Sequence, residues 1–341
     1  MSKKNRALSG QALPFLALIL LAALAHGRPV QAQVDRTPLT IYTAMTATTA
    51  QIPLLGALER GWPAGGEARV EYWKNLDDLR ALVLAGKGDV WVGHLETLAR
   101  AAARGAPVSL VAVTVFRKFY FVSAPLPLGQ DGAEDWPGDV AALLEYSARH
   151  GERITASPQN SPQAALLERL KDPGAPFPTE ALPPQQLILD LARGHRLVGL
   201  LPEPLATMAV MKNPRLRIIG SLEEEWSRRF GGPGLLPQAG VAVNSALARD
   251  RPELTKSLLG LMEETVRDLS GKPPSDRAAL LPPEVHEALG PGVLEASLAL
   301  EPLMIESAFG AKMEILGFLS LAAPDLAGDG ALPPGFVWSP R

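Results

Sequence analysis

The chain has 341 residues, 47% hydrophobic and 20% charged, with 31 Gly and 32 Pro. That length allows two domains or lobes around an ample core, and the composition excludes a disordered chain and a multi-span membrane protein. A net charge of −3 lacks the basic footprint of a nucleic-acid binder, and zero Cys excludes disulfides, thiolate metal sites and a lipid-modified N-terminal cysteine.

Lys3, Lys4 and Arg6 precede an uncharged apolar stretch, 12–25, and Val30-Gln31-Ala32 offers small residues for a cut. This pattern predicts a secretory signal peptide over 1–32, with an apolar core too short for an ordinary membrane span. Its removal leaves 29 basic residues against 36 acidic ones. An acidic, exported, soluble protein beginning near Gln33 is expected.

From Leu39 onward, short β-rich runs alternate with helical patterns, the signature of stacked βαβ units and mostly parallel sheets. Strands are predicted at 39–45, 68–73, 89–93, 108–115 and 119–123. Between them lie helices at 52–60, 76–85 and 95–104, stopped by Gly61, Gly86 and Gly105. Thr48 and Gln51 stand at capping-box spacing ahead of the first helix, and Asn75 is placed to cap the second. The Pro- and Gly-rich run 125–138 reads as a crossover between lobes.

A second α/β set follows, with helices at 140–149, 162–171 and 185–193 and strands at 153–156, 197–201 and 215–219. Ser161-Pro162 supplies an N-cap and a first-turn Pro, and 173–184 reads as a loop. Gly231-Gly232-Pro233-Gly234 marks a second crossover, after which 239–244 is a strand. Helices are predicted at 252–269, 283–289 and 294–321, with a Pro-rich tail at 331–341. A helix–Gly–strand–helix order recurs around 90–99 and 197–206, as two similar lobes would produce.

No Gly-x-Ser-x-Gly elbow, phosphate loop, His-Glu-x-x-His or dinucleotide turn is present. His94 and Glu96 flank a strand end, too non-specific a pair to assign a metal site. Binding is better supported. In open α/β sheets ligands sit beyond the carboxyl ends of strands, where helix N-termini present free N–H groups. Three such junctions carry small polar residues: Met45-Thr46-Ala47-Thr48-Thr49, Gln159-Asn160-Ser161 and Leu201-Pro202-Glu203-Pro204. Trp73, ending the second strand, would wall a ligand. Capping and packing are the structural alternatives for Thr48, Ser161 and Trp73. Arg117 and Lys118 meet either an anion or solvent.

The ordered set of features then carries a resemblance. It comprises Glu59-Arg60-Gly61-Trp62, the strand Val70-Glu71-Tyr72-Trp73, Leu82-Val83-Leu84-Ala85-Gly86-Lys87-Gly88-Asp89-Val90, Arg104-Gly105-Ala106-Pro107-Val108, Pro202-Glu203-Pro204, and Val241-Ala242-Val243-Asn244 before Arg251-Pro252-Glu253-Leu254. Over 39–269 the chain resembles the periplasmic substrate-binding proteins of ABC importers in the nitrate, sulfonate, taurine and thiamine-precursor group. The resemblance implies an α/β, two-lobed, type 2 Venus-flytrap fold. Lobe 1 would comprise 34–124 plus 235–341 and lobe 2 would comprise 125–234, with hinges near 124–128 and 231–234. It also implies a ligand touching Met45, Thr46, Thr48, Thr49, Trp73, His94, Asn160, Ser161 and Glu203. Where relatives carry Gly-x-x-Asp, this chain has Gly194-His195-Arg196-Leu197.

The expected function is capture of a small organic ligand and its delivery to an ABC permease in the inner membrane. The protein is expected to act as a periplasmic monomer, with no cofactor, metal, nucleic acid or catalysis. An exported sensory or accessory protein, or an enzyme that has borrowed the fold, are the alternatives.

Overall fold

The computed structural model describes residues 38–63, 66–128, 134–158, 162–326 and 331–340. The signal peptide assigned to 1–32 lies outside the described residues. From Pro38 onward the chain is one compact unit built on two principal sheets. Among the described residues no helix is long and apolar enough to cross a membrane.

The first sheet joins β1 (Leu39–Thr43), β2 (Ala68–Tyr72), β3 (Val90–His94), β4 (Val108–Val115), β12 (Ala239–Asn244) and β13 (Glu306–Ser307) in the order β13-β4-β12-β3-β1-β2. The second joins β5 (Phe119–Ser123), β8 (Ile154–Ala156), β9 (Thr179–Ala181), β10 (Val198–Pro202) and β11 (Arg217–Ser221) in the order β11-β5-β10-β8-β9. The strands β6 (Leu126–Pro127) and β7 (Glu134–Asp135) form a small separate ribbon.

Pairing is parallel within β2-β1-β3 and β9-β8-β10, where helices carry the chain back between strands. It turns antiparallel where β12, β5, β11 and β13 insert, so both sheets are mixed rather than mostly parallel. The return strand β12 lies at the centre of its sheet and bulges at Gly240, where a Cβ would meet the Ala112 carbonyl oxygen at 2.1 Å. Only glycine lets the two backbones approach so closely.

The chain leaves the first sheet earlier than the Pro/Gly pattern suggests. Phe119–Ser123, expected in lobe 1, pairs with β10 and β11 in the second sheet. The crossing is therefore at Phe116-Arg117-Lys118, and the run after Ser123 carries β6 and β7. The return passes through the second Gly-rich cluster. The two crossings lie side by side, with Leu236 N donating to Phe116 O at 2.8 Å and Gln238 N to Val115 O at 2.9 Å.

Apolar cores flank both sheets. On one face of the first sheet, Leu54, Ala57 and Trp62 pack with Leu258 and Met262 against Val92 and Val241. The Pro-rich tail is also packed: Phe336 is fully buried, and Leu110 N donates to its carbonyl oxygen at 2.5 Å. The single helix expected over 294–321 is two helices, Pro291–Leu300 and Lys312–Ala322, with β13 between them. Pro302, lacking an N–H, follows the first of these and stops it. That first helix packs on Leu205–Lys212 and on Thr48–Glu59, the helices that follow β10 of the second sheet and β1 of the first.

Candidate functional site

A cavity of about 430 Å³ opens where the two sheets meet. Ala44, Thr46, Ala47, Trp73, Asn75, Gly93 and His94 line it from the first sheet's strand ends, and Pro158, Pro183, Gln185, Pro202, Glu203 and Leu205 from the second's. Lys118 and Gln238, from the paired crossings, complete the wall.

Five helices begin at this wall: Thr48–Glu59, Leu76–Leu84, Leu95–Ala103, Pro184–Ala192 and Leu205–Lys212. Each helix start brings N–H groups and a partial positive charge of about half an elementary charge. Asn75 caps its helix as expected, its Oδ1 accepting from Asp78 N at 2.9 Å. The echo between 90–99 and 197–206 has a structural meaning, because the two strand ends bring His94 and Glu203 to one cavity.

Of the expected binding residues, Thr46, Trp73, His94 and Glu203 line the cavity. Trp73 also donates its indole N–H to Val92 O at 3.1 Å, which fixes the ring. Met45 turns away and packs beside Ile52, Leu281 and Leu298. Thr48 is not the helix cap; Ala47 takes that position, and the buried Thr48 hydroxyl donates to Glu301 at 3.2 Å. Thr49 is buried outside the cavity wall. Asn160 and Ser161 lie outside the described residues. The cap of Gln163–Arg169 is Pro162. Glu96 serves the fold: it is buried and paired with Arg100, which also grips Asp325.

Burial holds the His94 imidazole down to about 4, with the Lys118 ammonium adding to the effect, so the ring is neutral at physiological pH. Its Nδ1 is buried without a hydrogen-bond partner. Burial pushes the Glu203 carboxyl up to about 7, with Glu301 pushing the same way, while Ser297, Thr207 and Lys118 oppose. Thr207 donates to Glu203 at 2.9 Å.

Glu223 ties the crossings behind this wall. It accepts the N–H groups of Lys118 at 2.9 Å and Phe119 at 3.2 Å, and the Gln238 side chain also donates to it. Lys118 is no solvated charge, since its Nζ lies 3.1 Å from the fully buried Glu301. Gln238, Gln185 and Lys74 are wall residues that sequence reasoning did not select, and Lys118 is one that it left between an anion and solvent. Gln185 stands at the start of the helix expected over 185–193, just after the segment 173–184 read as loop, in which β9 lies. Its signal was the Pro183-Pro184 pair, which opens a helix.

No family model and no curated protein matches the chain. Solved structures do. An ABC transporter from Parabacteroides distasonis aligns with a TM-score of 0.66 at 16% identity, covering 89% of this chain and 100% of that one. The periplasmic aliphatic sulphonate binding protein SsuA of Escherichia coli aligns with a TM-score of 0.64 at 16% identity, covering 89% of this chain and 92% of that one. The periplasmic nitrate-binding protein NrtA of Synechocystis PCC 6803 aligns with a TM-score of 0.57 at 14% identity, covering 84% and 80%. At such identities the likeness establishes architecture, and the chain has the α/β fold of the periplasmic binding proteins.

Proposed function

We propose that this chain is an exported, soluble solute-binding protein that captures a small organic ligand and hands it to an ABC permease of the inner membrane. The observation that carries the reading is the cavity between the two sheets, walled by Trp73, His94 and Glu203 and met by five helix starts. Helix starts favour a hydrogen-bond-accepting end of the ligand, Glu203 a donating end, and Trp73 an apolar body between them. Two lobes, one on each sheet, would close on the ligand by bending at the paired crossings, and the ligand's binding energy would hold the closed form.

The proposed role is capture and release. The leader would be cut near Gln33, leaving an unacylated periplasmic monomer. Mass spectrometry of the exported protein tests that point, and an intact, membrane-retained N-terminus would refute it.

A thermal-shift screen over anions, sulfonates, amines and heterocycles, followed by calorimetry, tests the binding reading. Trp73→Ala and Glu203→Gln should each weaken the best ligand by ~1–3 kcal/mol, from lost aromatic contact or an unpaired buried partner. Unchanged affinity in both variants would move the site elsewhere.

A further inference from the structure

The cavity wall holds two ammoniums, Lys74 and Lys118, and Lys118, the one that acts on Glu203, is already engaged. Lys118 Nζ lies 3.1 Å from Glu301 Oε2, whose side chain has no exposed surface. The other oxygen of Glu301 accepts from Thr48 Oγ1 at 3.2 Å. Glu301 is not itself part of the wall, whereas Lys118 and Glu203 both are. Glu203 is tied to the same spot through its backbone N–H, which donates to Lys118 O at 2.9 Å. Glu203 is only 1% exposed.

Two buried carboxylates thus share one ammonium, and the geometry awards it to Glu301. A buried carboxylate without a counter-charge either takes a proton or recruits a cation. The groups acting on Glu203 are Glu301 and Lys118, with the Thr207 and Ser297 hydroxyls. The nearby His94 is neutral and does not replace the missing cation. Arg117 is engaged elsewhere, 2.7 Å from Glu224.

We propose that Glu301 sets the charge preference of the cavity: by holding Lys118 it leaves Glu203 as the uncompensated group of the wall. The ligand then presents Glu203 with a nitrogen that carries or donates a proton, as in an amine, an amidine or an amino-heterocycle. The inference rests on the binding reading and sharpens its ligand class. Glu301 touches no ligand and acts through Lys118, as a positioning residue in a C-terminal segment that otherwise looks peripheral. Glu301→Gln releases Lys118 to Glu203 and to incoming anions.

The test uses the full chain with probes of one ring size and opposite charge, benzamidine and benzylamine against benzenesulfonate, by thermal shift and calorimetry near neutral pH. The wild-type protein should be stabilised by the two cations and not by the sulfonate. In Glu301→Gln the preference for benzamidine over benzenesulfonate should fall by about tenfold or more, the effect of one redirected counter-charge. Should that variant not fold, calorimetry of wild type in buffers of differing ionisation enthalpy serves instead, since benzamidine should release protons from Glu203. Wild-type preference for benzenesulfonate, an unchanged ratio in Glu301→Gln, or benzamidine binding without proton release would each overturn the inference while leaving the binding reading intact. If no probe of either charge binds, this inference falls, while the broader ligand screen decides the binding reading separately.

Discussion

All eight residues of β4 are buried, six of them apolar, and Phe119 and Phe121 of the second sheet are wholly enclosed. Between the sheets the materials change: Glu203, Glu223 and Glu301 are each no more than 2% exposed, with Lys118, Tyr120 and Gln238 among them. Apolar burial stabilises without regard to direction. A buried carboxylate costs free energy unless donors reach its oxygens, so each one dictates the placement of several neighbours. The sheets therefore carry the stability, while the seam carries the positional information that shapes the cavity.

That contrast can be broken most directly in a core. Phe121→Ala should cost ~3–5 kcal/mol in urea unfolding, from lost transfer energy and the cavity left behind. A loss below ~1 kcal/mol would mean that the second sheet is not a rigid support.

The seam should behave in the opposite sense. Glu223 is pushed up to about 7 from 4.5, chiefly by burial. The folded protein thus keeps a proton that the unfolded chain releases. Its contribution is complete below 4.5 and is lost as the pH rises through about 7. Glu223→Gln should flatten that decline and be neutral or stabilising by about 1 kcal/mol at mildly alkaline pH, since the variant no longer ionises in the interior. His94 slopes the other way: held down to about 4, it gives stability that is lost as the pH falls from 6.5 toward 4. Unfolding curves across this range check both signs.

Smaller effects sharpen the boundary between the regions. Thr48→Val removes the hydroxyl that donates to Glu301 and should cost ~1 kcal/mol in denaturant unfolding. Arg149→Ala breaks an exposed pair with Glu145, one helical turn away, and should change stability by less than ~0.5 kcal/mol, fading with salt.

Several elements were legible residue by residue. The strands at 108–115, 119–123 and 239–244 and the helices at 252–269 and 283–289 match the observed bounds. Each is an apolar run or helical stripe, and those at 108–115, 252–269 and 283–289 start at or beside a Pro, so local chemistry decided them. The helix Leu222–Phe230 escaped notice because charged residues dominate it and only Leu222 and Trp226 give it a buried apolar face. The short strand β9, buried only in part, lacks the alternation that marks a strand.

By itself the sequence determined the α/β class, the strand ends that line the cavity, and the candidacy of Trp73, His94 and Glu203, because periodicity and breakers act over a few residues. Tertiary structure alone decided that β5 belongs to the second sheet, that Thr48 serves Glu301 instead of capping its helix, and that Lys118 is an engaged ion. Those outcomes join residues up to 253 positions apart. Which carboxylate wins a shared lysine depends on distances of a few ångströms across the seam, and no local pattern encodes them.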